Sequence, residues 1–206
     1  MMTSARKLVF LLSFVILSCN SSSKNNIDDI VSILGRTMGT TYSVKYATGI
    51  KSNDDIKENQ NKIEEILRNV NMQMSTYIAE SEISQFNRMT STEWMSISED
   101  FAFVVQSSFK YYNISGGLYD ITVMPLVNLW GFGPDKFIDI PTTTNIDSVL
   151  AFVGQDLIEI EGNKIRKKDP RVQIDLSSIA KGFAVDKIIE SLNFDNIFVE
   201  IGGEVR

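Results

Sequence analysis

Val172-Gln173-Ile174-Asp175-Leu176-Ser177-Ser178-Ile179-Ala180-Lys181-Gly182-Phe183 is the stretch on which the reading of this chain turns. Val172, Ile174 and Leu176 alternate with polar neighbours, which predicts a short buried strand. After the two serines, apolar residues recur at Ala180, Phe183, Ala184, Ile188 and Leu192, the spacing of a helix. A helix N-terminus presents unpaired N–H groups and a partial positive charge, and phosphates favour it. Lys181 adds a full charge one turn in, and Asp175 brings a carboxylate to the same mouth. Two readings stay open on these residues alone. One is a phosphate-binding junction. The other is a helix capped by Asp175 or Ser177 beside a solvated Lys181.

The 206 residues suffice for one domain with a sizeable core. The net charge of −6 and the absence of a strongly basic stretch argue against a nucleic-acid binder. Histidine is absent altogether. That removes Ser-His-Asp triads, His-bearing zinc sites and imidazole bases, and leaves acid–base work to carboxylates, Lys or Tyr. A metal, if used, is expected to be a hard, oxygen-bound ion such as magnesium.

Cys19 is the only cysteine, so no disulfide forms within the chain. Arg6 and Lys7 precede an apolar run from Leu8 to Leu17, then Ser18-Cys19 and a polar Ser/Asn stretch. This is the pattern of an export signal, and the run is too short to span a membrane. Ile16-Leu17-Ser18-Cys19 resembles a bacterial lipoprotein box. Residues 1–18 are therefore read as a lipoprotein signal peptide, with Cys19 as the lipidated first residue of the mature protein. Residues 19–29 are read as a polar tether and 30–206 as the folded domain. An ordinary signal peptide with an incidental cysteine is the alternative. The expected location is outside the cytoplasm, anchored to the membrane and facing the bacterial periplasm.

Along the domain, Ile30–Leu34 and Tyr42–Tyr46 predict two strands around the glycine-bearing Gly35–Thr41 segment. Met38 there suits either a flat ring or core packing. Ser52 is a cap candidate for an amphipathic helix with Ile56, Ile63, Ile66, Leu67, Val70 and Met74 on one face. Tyr77 follows it, suited to stacking on a ring or to a half-buried structural role. Ser98 predicts the cap of a second helix, which Gly116-Gly117 ends. Leu118 to Val123 reads as β-like and leads to Pro125 in the first turn of a helix. Trp130-Gly131-Phe132-Gly133 suits an apolar pocket wall or a tight aromatic corner. A short helix spans Asn145 to Phe152, and Gly162-Asn163 predicts a two-residue hairpin. Gly202-Gly203-Glu204 opens a hairpin with no partner strand before Arg206, so the domain is expected to continue further. The class is α+β.

Two common phosphate signatures fail. Lys181-Gly182 reverses the Gly-Lys order of a P-loop, and no GxGxxG opens a helix. Five blocks in order nevertheless resemble the FAD:protein FMN transferases, the ApbE family. They are Gly35 to Tyr42; Met74 to Tyr77 with Ser81-Glu82-Ile83-Ser84-Gln85-Phe86-Asn87; Gly116 to Gly133; Asp175 to Asp186; and Glu200 to Glu204.

The resemblance implies an ApbE-like, T-fold-related domain of mixed sheets with flanking helices. It implies a magnesium-dependent enzyme that splits FAD at its pyrophosphate. FMN goes to a Thr or Ser of a target flavoprotein, and AMP is released. By motif, Met38, Tyr77, Leu118, Tyr119, Asp120, Asp175 and Lys181 would contact FAD, and Ser178 would contact magnesium. Further segments of the family, with the other metal ligands and the catalytic residues, are expected beyond Arg206, which would leave this chain by itself inactive. A lipoprotein that only binds flavin, or a hydrolase that cuts FAD without a protein acceptor, are the alternative functions.

Overall fold

The computed structural model describes residues 29–49, 52–134 and 140–206. The segments expected to be a signal peptide and a tether, with Cys19, lie outside the described residues but for Asp29. β1 (Asp29–Thr37) and β2 (Thr40–Thr48) pair antiparallel along their whole length. Their two-residue loop is Met38-Gly39, with φ of 48° and 73°, the conformation that right-twisted hairpins favour. Glycine takes it freely; Met38 takes it against the clash of its own Cβ, so strain sits at this turn. Strand alternation turns Val31, Ile33, Tyr42, Val44 and Tyr46 inward. A Cβ at Gly35 would lie 2.4 Å from the Tyr42 ring, so the glycine lets that ring cover the backbone.

α1 (Asn53–Met74) starts where expected, with the Ser52 hydroxyl accepting from the Asp55 amide at 3.0 Å. Ile63, Leu67, Val70 and Met74 are its buried stripe. Next come α2 (Glu82–Arg88), β3 (Met95–Ser96) and α3 (Glu99–Ile114), the last capped by Ser98 as predicted. α4 (Met124–Leu129) carries Pro125 in its first turn, and α5 (Thr143–Leu150) follows. β4 (Ile158–Glu161) and β5 (Lys164–Lys167) form the expected hairpin. α6 (Ala180–Leu192), β6 (Ile197–Ile201) and β7 (Glu204–Val205) complete the described chain.

Among the described residues two antiparallel sheets result, ordered β1-β2-β6-β7 and β3-β5-β4. The inner face of the larger sheet, the stripe of α1 and the Ala184-Val185-Ile188 face of α6 share one apolar core. The class is α+β, as the sequence predicts.

Three expectations need correction. Leu118–Val123 is not β-like: an irregular stretch leads into a 3-10 turn at Ile121–Val123. The Asp120 carboxylate takes the Thr122 amide at 2.7 Å and curls the chain there. The second hairpin strand is present after all, since Glu204 and Val205 pair with Ile201 and Glu200. Third, Val172–Leu176 belongs to neither sheet.

Its alternation is nonetheless real, for Val172, Ile174 and Leu176 are each 0% exposed. A buried segment without a ladder must satisfy its backbone elsewhere. Asn87 does this for Ile174: its Oδ1 accepts from the Ile174 amide at 2.8 Å, and its Nδ2 donates to the Ile174 carbonyl at 2.9 Å. The Asp175 amide donates to Ile121 O at 2.7 Å. Lys167, itself fully buried, donates from Nζ to the carbonyls of Val172 and Pro170 at 3.0 Å and of Asn87 at 3.3 Å.

Burial lowers the Lys167 pKa from 10.5 to about 8, against the opposing pull of Asp169. Below the folded value, Lys167 is charged in both states and the cost of burying the ammonium is present in full. Between that value and 10.5 the unfolded chain binds the proton and the folded one does not, so stability rises with pH. The predicted gain across this window is roughly 3 kcal/mol. Denaturant unfolding at pH 7.5 and 10.5, compared between wild type and Lys167→Met, measures it. The pH-dependent increment should disappear in the variant; equal increments in both proteins would contradict this account of Lys167.

Candidate functional site

Where Val172–Leu176 meets α6, the chain makes a turn over Ser177–Ile179. The amide of Ser177 donates to Asp175 Oδ1 at 2.6 Å, so Asp175 closes the turn and the Ser177 hydroxyl does not. The turn stands between two clefts. A cleft of about 530 Å³ lies on one side, bounded by Met38-Gly39, the end of α1, Tyr77, Ser177 and Lys181. A second, of about 520 Å³, is bounded by Tyr111, Tyr119, Ser178, Gly182 and Phe183 among others. Both fall in the size range of small-molecule sites.

Each wall of the first cleft is tied down by a specific bond. Asn71 on α1 donates from Nδ2 to Thr37 Oγ1 at 3.0 Å, which fixes the end of the strained Met38 hairpin against the helix. The loop from Ser75 to Ile78 is held from α2. Ser81 Oγ donates to Ser75 O at 2.7 Å, and Ser84 Oγ lies 3.3 Å from the carbonyls of Ser75 and Thr76. Glu82 accepts from the Ser98 amide at 2.8 Å and joins α2 to the start of α3. The Tyr77 ring is 69% exposed, yet its hydroxyl donates to Phe132 O at 2.8 Å.

Phe132 sits on a tight corner rather than in a pocket wall. Its amide bonds Val127 O and the Gly131 amide bonds Asn128 O, the paired bonds of a Schellman cap, with Gly131 at φ 75°. The corner leaves Phe132 and Trp130 exposed.

Met38, Tyr77 and Lys181 thus share one cleft. Lys181 Nζ lies 3.4 Å from Gly202 O and 3.8 Å from Glu204 Oε1 across its mouth. Tyr119 and Ser178 meet in the other cleft, hydroxyl to hydroxyl at 3.1 Å. Burial raises the Tyr119 pKa, the Ser178 bond opposes that rise, and the negative charge of Asp175 adds to it. Asp175 lines neither cleft; its carboxylate is engaged by the Ser177 amide in the turn that separates them. Leu118 is 92% exposed and stands clear of both.

Asp120 is an anchor. Its Oδ1 accepts from the amide and hydroxyl of Thr122 at 2.7 and 2.6 Å, and Oδ2 accepts from the Gln155 amide at 2.9 Å. Sequence reasoning missed Asn71, Asn87 and Lys167. The Ser81 cap is local, its hydroxyl accepting from the Ser84 amide at 3.2 Å, but nothing in the local pattern announced the bonds that Asn71, Asn87 and Lys167 make.

The cleft, with a ring-bearing wall and a lysine at a helix mouth, has the size and chemistry for a flat, phosphorylated ligand. The fit to magnesium is different. Among the described residues, no group of three or more His, Cys, Asp or Glu side chains is placed to hold a metal. Ser178 on its own does not make a metal site.

A protein-family model described as the ApbE family matches residues 38–206. The chain belongs to the ApbE family. A Haemophilus influenzae relative named FAD:protein FMN transferase is 44% identical over 186 residues, covering 86% of this chain and 54% of that protein. The solved flavin transferase ApbE from Vibrio cholerae superposes with a TM-score of 0.82 at 42% identity, covering 87% of this chain and 59% of that one. The apo flavinyl transferase ApbE of Pseudomonas stutzeri gives 0.79 at 32% identity, with 87% and 61% covered. This chain spans about half the length of the curated relatives it matches.

Within this ApbE fold, the anchoring of Asp120 makes a prediction separable from ligand binding. Asp120→Ala should cost about 2–4 kcal/mol of stability with no flavin present, because it strands the Gln155 and Thr122 donors. Urea unfolding of the flavin-free protein measures this. Unchanged stability would mean that the carboxylate serves a ligand and not the fold.

Proposed function

We propose that the whole protein transfers FMN from FAD to a Thr or Ser side chain of an acceptor flavoprotein. The acceptor oxygen bonds to the phosphorus on the FMN side, the P–O bond to the AMP side breaks, and AMP leaves. The hydroxyl proton is balanced by the AMP phosphate or by solvent. The cleft that joins Met38, Tyr77 and Lys181 is the observation that carries this reading.

Each residue has a physical role in the proposal. The cleft walls at Met38 and Tyr77 take a ring system of FAD, through thioether and aromatic contact. Lys181, with the first turn of α6, holds the pyrophosphate and offsets its charge. Asp175 fixes the turn that aims both. Tyr119 lines the neighbouring cleft at Ser178, and Asp120 holds the chain on that side through Thr122 and Gln155.

Magnesium enters as a requirement of the whole protein, with Ser178 as the contact from this chain; when bound, it would neutralise phosphate oxygens. Phosphoryl transfer depends mainly on positioning and charge neutralisation. We further propose that the protein is exported, lipidated at Cys19 and anchored to the membrane facing the periplasm. Labelling with a fatty-acid probe should be lost in Cys19→Ser, and retained label would refute the anchor.

The whole protein, given FAD, magnesium and an acceptor, should yield AMP and a flavin-labelled acceptor in equal amounts. AMP without label would turn the reading to hydrolysis, and neither product would overturn it. Lys181→Ala should raise the Kd for FAD about tenfold, the scale of one charge-assisted hydrogen bond. An unchanged Kd, read by flavin fluorescence, would leave Lys181 outside the site.

A further inference from the structure

We propose that Asn87 and Lys167 are positioning residues for the flavin site, a clamp on Val172–Leu176 that fixes Asp175, Ser177 and Ser178 at the mouth of α6. This inference rests on the reading of that mouth as the place where FAD binds.

The segment is buried at three of its five positions, yet among the described residues no strand pairs with it. Asn87 supplies what a neighbouring strand would have supplied, one acceptor and one donor to the same residue, Ile174. Lys167 holds the residues just before it. The three N–H groups of its ammonium match three carbonyls, those of Pro170, Val172 and Asn87. The last of these ties the two clamp residues to each other.

Among the described residues no carboxylate is hydrogen-bonded to this ammonium, although burying an ammonium is costly. An apolar side chain in the same space would avoid that cost but would release the carbonyls. What the lysine adds is the course of the backbone.

That course leads directly into the candidate site. Asp175 follows Ile174, its amide pinned to Ile121 O and its carboxylate holding the Ser177 amide. Asp175 is the next residue after Ile174, and only Asp175 and Leu176 separate Ile174 from Ser177, so a shift at Ile174 arrives undamped at groups that must sit within fractions of an ångström.

The test uses the whole protein and three variants. Asn87→Ala removes both side-chain bonds to Ile174; Asn87→Asp keeps the acceptor for the Ile174 amide; Lys167→Met keeps the stem and removes the ammonium. Asn87→Ala and Lys167→Met should raise the KM for FAD about tenfold with kcat changed much less, on the scale of a lost hydrogen-bond pair. Asn87→Asp should recover part of that loss.

Hydrogen exchange without FAD supplies the second readout. In wild type the Ile174 and Asp175 amides should be protected. In Asn87→Ala and Lys167→Met they should exchange about tenfold faster while Val70 in α1 stays as in wild type. An unchanged KM in a folded Asn87→Ala, or exchange that rises equally at Val70, would overturn the clamp as a positioning device. Should Asn87→Ala not fold, Asn87→Asp and Lys167→Met carry the same comparison, and unprotected Ile174 in wild type refutes the clamp without any variant. A wild type that protects Ile174 but never binds FAD refutes the transferase reading, and the clamp's purpose with it.

Discussion

A buried stretch of backbone without a sheet to join is the constraint around which this molecule is arranged. Val172–Leu176 runs through the core with its apolar side chains fully covered, so its amides and carbonyls cannot turn to water. The solution uses one side chain from far along the chain, Asn87 at the end of α2, and one from just before the segment, Lys167 on β5. This explains why a small three-stranded sheet and a seven-residue helix sit beneath the candidate site. They carry the side chains that hold the segment.

The site itself is made of turns, each stabilised from outside. The strained Met38 hairpin is tied to α1 through Asn71, the Tyr77 loop to α2 through Ser81 and Ser84, and the Ser177 turn to Asp175. Turns present backbone and side chains to a ligand without the regular geometry of a ladder, and fixing them beforehand lowers the ordering cost of binding. Lys181, close to Gly202 and Glu204, links the cleft to the β6–β7 turn. The candidate site is thus framed by segments that are far apart in the chain and joined by single bonds.

Much of this was legible in the sequence, for physical reasons that differ by element. The caps at Ser52 and Ser98, the Gly162-Asn163 hairpin and the stripe of α1 depend on neighbours within a few residues, so local pattern suffices. The alternation of Val172, Ile174 and Leu176 correctly marked burial but wrongly implied a ladder, because period two reports which side chains face the core and not what pairs with the backbone. Leu118–Val123 misled in a similar way. Its β-branched residues favour a strand, but the Asp120 carboxylate competes for the backbone and wins. The role of Asn87 was not legible, since Ile174 lies 87 residues away; Lys167 has Pro170 and Val172 within five residues, but its burial and its third carbonyl, 80 residues away, leave no local mark. At Asp175 and Lys181, the residues alone left a cap and a phosphate site equally open; Asp175 does close a turn, and that turn also borders the cleft.

The most direct measurement is a crystal structure of the whole protein with FAD bound. This account predicts a ring of FAD in the cleft between Met38 and Tyr77. It predicts the pyrophosphate within hydrogen-bonding reach of Lys181 Nζ and the first turn of α6. FAD bound elsewhere, with that cleft empty and Lys181 still directed at Gly202, would contradict it.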